Sequence, residues 1–259
     1  MMISLKALSL VFACILLLSL GVSLAQANRQ ESAGNESWAT ARRDSSGQAP
    51  DPLRNAASAI IQVYVAPTYG WRGVVAVHPW IIYKREGETH YQRVEVIGWG
   101  SGDKVRFNRN IPDGYWFGAR PRVLLERRGP LAAAMIPKIE AAIASYPWPQ
   151  TYHAWPGPNS NTFLAHIGRE VPELKLNMPA NAIGKDYRSL RNPIGLPPSG
   201  RGVQLSLLGV AGLTVGAEEG VEINVLGLNL GVGISPFQLR LPFIGGLGDN
   251  NLQKEDPQT

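Results

Sequence analysis

From Ala59 onward the chain alternates with a period of two. Ile61, Val63 and Val65 are separated by Gln62 and Tyr64, and residues 74–83 are a run of β-branched and aromatic side chains. Successive side chains of a strand point to opposite faces, so this pattern predicts half-buried β-structure. Arg85-Glu86-Gly87-Glu88 is a turn cluster, and residues 89–99 resume the strand pattern, which predicts a hairpin. If Lys84 pairs with Thr89 across that loop, then Ile82 faces Tyr91, Trp80 faces Arg93 and His78 faces Glu95. Opposed residues share a face, so a carboxylate would stand beside the imidazole and a guanidinium beside an indole. The period turns helical over residues 130–146. Pro130 suits a first turn, Met135, Ile136, Ile139 and Ile143 line one side with the alanines, and Pro137 is expected to kink the helix.

A second helix is expected where Trp155-Pro156-Gly157-Pro158 gives way to Asn159-Ser160-Asn161. Proline disfavours helix for the residue before it, Asn and Ser are preferred N-caps, and Phe163, Leu164 and Ile167 then recur at helical spacing up to Gly168. After Tyr187 glycine and proline rise. Residues 203–233 hold two similar runs, LLGVAGLTVG and VLGLNLGVG, around a turn at Ala217-Glu218-Glu219-Gly220, which reads as a hairpin. Its apolar character demands cover from the main domain, another subunit or a membrane surface. Burial against the core is the default expectation, because two runs are too few for a membrane barrel.

The N-terminus fixes the expected compartment. A short positive n-region ending at Lys6 precedes an uncharged run over residues 7–25, and Ala25-Gln26-Ala27 matches a cleavage pattern. The expected signal covers residues 1–27, with an uncleaved inner-membrane anchor as the alternative, because the run is long enough to span a bilayer. The chain is therefore expected to be exported to the periplasm or cell envelope. The single cysteine, Cys14, falls in this segment, so the exported part has no disulfide, thiolate nucleophile or cysteine metal site. Residues 28–55 are polar with balanced charge and read as a flexible tether. Residues 56–190 then form the main domain, 191–248 a β-rich extension and 249–259 a polar tail. Net charge is +5, or +4 without Lys6, and the basic residues are scattered, which speaks against nucleic acid as a partner.

Ser160 is the candidate nucleophile, because a helix N-terminus stabilises developing negative charge. His78 is the candidate base and Glu95 the group that orients it, the division of labour in a catalytic triad. The plainer readings are a capping serine and a strand pair on a wet sheet face. His153 and Trp155 lie in the loop before Ser160 and are candidate lining residues, with Trp80 and Arg93 beside His78. Arg120 and Arg122 read as solvated, His90 as a turn residue and His166 as a structural partner of a helix end. The four histidines lack metal-ligand spacing, so no metal and no cofactor is proposed.

The blocks HPWIIYK, YQRVEVIGWG, ARPR, YPWPQTYHAWPGPNSNTFLAHIGREVPEL, AIGKDY, PPSGRG and EEGVEINVLGLNLG resemble the bacterial family called domain of unknown function 3750, over essentially residues 60–248. A more distant resemblance is to the circularly permuted papain-like peptidases and acyltransferases of the NlpC and lecithin:retinol acyltransferase type, which carry Asn-Cys at a helix start. That resemblance implies an α+β fold with a permuted papain-like core, an antiparallel sheet packed on helices. It places Ser160 where those proteins have cysteine, His78 as base, Glu95 as the orienting polar group and Asn159 beside the oxyanion; Asn159 and Asn161 are candidate substrate-binding residues. The function it implies is a serine-dependent amidase, peptidase or acyltransferase acting on peptidoglycan peptides or lipid acyl groups. The alternatives are a catalytically silent binding module of the same fold and a structural envelope protein associating through its apolar hairpin.

Overall fold

The computed structural model describes residues 5–31, 37–234, 237–248 and 253–254. The fold is α+β and holds two antiparallel sheets. The first contains β1 (Ile60–Pro67), β2 (Val77–Lys84), β3 (Gln92–Val96), β4 (Val105–Phe107) and β5 (Arg122–Arg128), joined at one edge by the parallel β13 (Gln253–Lys254). Its order is β13-β5-β1-β2-β3-β4. Two helices cover one face: α2 (Gly129–Ala144), with Pro137 inside it on the solvent side, and α3 (Ser160–Glu170). β1 shows how alternation divides the interior. Ile61, Val63 and Val65 join Ile81, Val94, Leu125, Ile136, Ile139, Phe163 and Leu164 under the helices, while Ile60 and Tyr64 point the other way, into a second cluster with Trp80, Ile82 and Trp116.

That second face is covered by the segment expected to be a tether. Residues 37–55 instead form a strap fixed by Asp113, whose carboxylate accepts from Ser45 Oγ at 2.9 Å and from the backbone N–H of Gln48 at 2.8 Å, while Pro50 O accepts from Tyr91 Oη at 3.0 Å. Arg43 stacks over Phe117 at 4.3 Å. Polar composition misled here because the strap's own polar side chains and backbone are what bind it. The N-terminal helix α1 (Leu5–Glu31) is continuous and buries Ser19 and Ser23, Ser23 donating to Val74 O. Among the described residues no helix is long and apolar enough to cross a membrane. Of the expected polar tail, only residues 253–254 are described.

The second sheet follows the order β12-β11-β10-β9-β8-β7-β6. Its strands are β6 (Ile194–Gly195), β7 (Gly202–Leu207), β8 (Ala211–Gly216), β9 (Gly220–Val225), β10 (Leu228–Ile234), β11 (Phe237–Arg240) and β12 (Leu247–Gly248). The expected turn does join β8 to β9, but the hairpin is part of a seven-stranded meander and its apolar residues are not buried against the core. Cross-strand register builds one row from Val203, Val215, Val221, Val232, Leu239 and Leu247, and all of these are 40–60% exposed. The opposite row, Gln204, Thr214, Glu222 and Arg240, is buried. Polar side chains face in and apolar ones face out.

The reason lies in what the sheet wraps. Lys185 and Asp186, at the end of the main domain, are inserted beneath it. Lys185 Nζ donates to Glu222 Oε2 at 2.5 Å, Gln204 Nε2 and Asn224 Nδ2 donate to the two Asp186 carboxylate oxygens at 2.7 and 3.0 Å, and Arg240 pairs with Glu222. Arg240 Nη2 also donates to Met178 O at 2.5 Å. Charges taken out of water need partners of this kind, so a polar inner face is required. Burial by itself would lower the Lys185 pKa, but Asp186 and Glu222 raise it overall, and Lys185 reciprocally lowers that of Asp186 against the same burial. Lys185→Met, which removes one member and leaves the carboxylates buried, should cost about 3–5 kcal/mol. A urea titration measures it, and a loss below about 1 kcal/mol, the size of an exposed pair, would contradict the network.

Candidate functional site

The β2–β3 hairpin forms, but its register is offset by two from the expected one: Ile82 faces Arg93, not Tyr91. A slip of one residue would have turned every side chain over, whereas a slip of two keeps each on its face. His78 and Glu95 therefore meet diagonally. His78 Nε2 lies 2.9 Å from Glu95 Oε2, and Arg93 Cζ sits 4.1 Å above the Trp80 ring. Glu95 also accepts from Arg93 Nε and Nη2, both at 3.0 Å, and from Asn110 Nδ2 at 2.8 Å. Arg93 Nη1 donates to Ile111 O, and the His78 ring stacks on Trp116 with centroids 3.7 Å apart. All of this lies on the strap side of the sheet.

Electrostatics fix the protonation of the cluster. Burial alone would raise the Glu95 pKa, but the His78 hydrogen bond and the Arg93 charge hold it at about 2. Burial pushes the His78 pKa below its ordinary 6.5 despite the neighbouring carboxylate. The stable set is a cationic Arg93, an anionic Glu95 and a neutral His78 whose Nε2–H is turned towards the carboxylate.

Ser160 stands on the other side. It opens α3, whose Phe163, Leu164 and Ile167 pack in the helix-covered cluster, and it stands close enough to Tyr152 to lower the pKa of that phenol against the burial that raises it. The expected convergence of Ser160 with His78 and Glu95 is therefore not made: β2 lies between them, because His78 follows the parity of Trp80 and Ile82 while α3 packs on that of Val77 and Ile81. A histidine at Val77 or Pro79 would have pointed towards α3.

Asn159 and Asn161 are also committed elsewhere. Asn159 Oδ1 accepts from the N–H groups of Asn161 and Thr162 at 2.9 and 3.2 Å, and its Nδ2 donates to Ala154 O and Ile183 O. Thr162 Oγ1 accepts from Asn159 N–H at 3.0 Å, completing a capping box. Three backbone N–H groups at the helix start, those of Asn159, Asn161 and Thr162, are thus engaged within the helix cap. Asn161 Nδ2 donates to Val77 O at 3.1 Å and Ile183 O at 2.8 Å, and its Oδ1 is buried without a partner. This clasp ties α3, β2 and residue 183 together and needs glycine at 184, where a Cβ would sit 2.4 Å from Asn159 Nδ2. His153 is exposed and joins neither cluster, its backbone N–H donating to Pro158 O. Trp155 is 53% exposed and donates from Nε1 to Leu226 O at 3.0 Å, so it braces the second sheet. His166 is structural, but not at the end of its own helix as expected: α3 continues to Glu170, and His166 Nε2 meets Ala142 O at 2.9 Å near the end of α2.

Sequence reasoning missed the Lys185–Asp186–Glu222–Arg240 network. Its signal was present as polar residues two apart, Gln204 and Ser206, then Glu222 and Asn224, just ahead of each of the two runs that read as apolar. Among the described residues no group of three or more His, Cys, Asp or Glu side chains is placed to hold a metal ion.

The cluster predicts a two-stage acid response. His78 binds a proton less readily folded than unfolded, so stability falls as pH drops below about 6.5. Glu95, depressed to about 2 from 4.5, contributes stability that is whole above 4.5 and lost on the way to 2, on the order of 3 kcal/mol. Denaturation midpoints across a pH series should show both stages, and His78→Gln should remove the upper one and shrink the lower, which Arg93 alone would then sustain. A midpoint unchanged between pH 7 and 4 would contradict the assignment.

No curated protein and no solved structure matches the chain. A family model described as protein of unknown function (DUF3750) matches residues 58–187, half of the chain. The second sheet lies beyond that stretch, although the sequence blocks that resemble the family extend into it. On the strength of that match over the first sheet and its two helices, the chain belongs to the DUF3750 family.

Proposed function

We propose that this chain is an exported cell-envelope protein that works by binding and association, its family domain being a catalytically silent relative of the papain-like modules. One observation carries the reading: within the family-matched domain, the histidine paired with a buried carboxylate is separated by a strand from the serine at a helix start. Support for the papain-like ancestry is the Asn-Ser pair opening a helix that packs on an antiparallel sheet. Support for export is the n-region, apolar run and Ala25-Gln26-Ala27 pattern. The silent site follows from physical chemistry: a serine hydroxyl needs a base to take its proton, and the ionisable group that Ser160 perturbs is the Tyr152 phenol, whose pKa burial raises.

An electrophilic phosphonate should leave Ser160 unlabelled, and a Ser160→Cys thiol, buried as Ser160 is, should alkylate no faster than the fold opens. Mass spectrometry reads both reactions. A covalent adduct at Ser160 in the wild type would overturn the reading in favour of a serine hydrolase. Mature protein from an envelope fraction should begin at or near Asn28.

A further inference from the structure

We infer that the outer face of the second sheet is a lipid-contacting surface that seats in one leaflet of a membrane. The inference deepens the envelope reading by naming what its association surface meets.

The first ground is chemical. Outward positions along β7 to β11, such as Leu205, Leu213, Ile223 and Ile234, are apolar and 42–76% exposed, and no outward position of these strands carries a charge. A sheet of a water-soluble monomer normally presents the reverse, with polar side chains outward, and polar-in, apolar-out alternation is the pattern of strands that face lipid. The inversion cannot be relieved by turning the sheet over, because Glu222, Arg240, Gln204 and Asn224 are held against the buried Lys185–Asp186 pair.

One hairpin tip supplies independent support. The Leu207–Val210 and Val225–Leu228 turns each place a leucine followed by glycine at the bend, Leu208 with φ 54° and Leu226 with φ 56°. Such positions favour Asn, Asp or Gly; Leu208 is half-buried, whereas Leu226 is 61% exposed. A leucine kept there at a conformational cost marks a tip that meets an apolar medium. The charged pair Arg201 and Glu218 lies at the other end of the strands, where headgroups and water would be. β7 to β10 are 6 or 7 residues long, about 20 Å, short of a bilayer-crossing strand. Among the described residues the sheet is also open at β6 and β12, and bare edges do not survive in hydrocarbon. The crown therefore enters one leaflet while the edges stay at the interface.

Spin labels test this on the full chain in a Cys14→Ser background, mixed with phosphatidylcholine vesicles. Labels at Leu213, Ile223 and Leu226 should gain oxygen accessibility and lose accessibility to a nickel chelate on adding vesicles, with no change in salt dependence, while a label at Glu218 should stay open to nickel. Site-specific labels report on the sheet whatever the N-terminal segment does. Outer-face labels that remain nickel-accessible would overturn the inference. Spin–spin broadening between chains without a rise in oxygen accessibility would overturn it in favour of a second copy. A chain recovered from the cytoplasm, or a phosphonate adduct at Ser160, would sink the reading above and leave this result standing.

Discussion

The burial of Lys185 and Asp186 is the constraint from which the C-terminal half follows. A lysine and an aspartate taken out of water cost several kcal/mol each unless every donor and acceptor finds a partner. Those partners are Glu222, Gln204 and Asn224, with Arg240 closing the network through Glu222. These residues sit on three strands and share one face, so the sheet must turn that face inward. Period-two alternation then leaves the valines, leucines and isoleucines no place but outside. One ion network thus both docks the second sheet on the family domain and produces its exposed apolar surface.

The first sheet obeys the same parity with different consequences. It is buried on both faces, beneath α2 and α3 on one side and the strap on the other. A residue's face decides whether it can join Ser160 or the Asp113-fixed strap. His78 has the strap-side parity, and its imidazole is spent on Glu95 and Trp116. The Asn159–Thr162 capping box likewise spends the helix-start donors on the chain itself. The longest of the family-like blocks is thereby accounted for as architecture, since it joins α3, β2 and residue 183.

Much of this was legible in the residues and some was not, for physical reasons. The α3 start at Ser160 was legible because proline, glycine and an asparagine cap act locally. The His78–Glu95 and Trp80–Arg93 contacts were legible despite a wrong register because an offset of two preserves parity. Which face α3 would cover was not legible, since that depends on packing among α2, α3 and β3. The strap over residues 37–55 was missed because polar composition does not distinguish a segment solvated by water from one satisfied by Asp113. The second sheet was read inside out because apolar side chains were assumed to face the core. The alternating Gln204, Ser206, Glu222 and Asn224 carried the opposite message.

Single cysteines at adjacent positions of β8 and β9, in a Cys14→Ser background without lipid, test the inversion most directly. A small water-soluble alkylating reagent should modify Val215→Cys and Ile223→Cys rapidly, and Thr214→Cys and Asn224→Cys slowly, because alternate residues lie on opposite faces. The reverse pattern, with the apolar positions protected and the polar ones reactive, would contradict the account at its root.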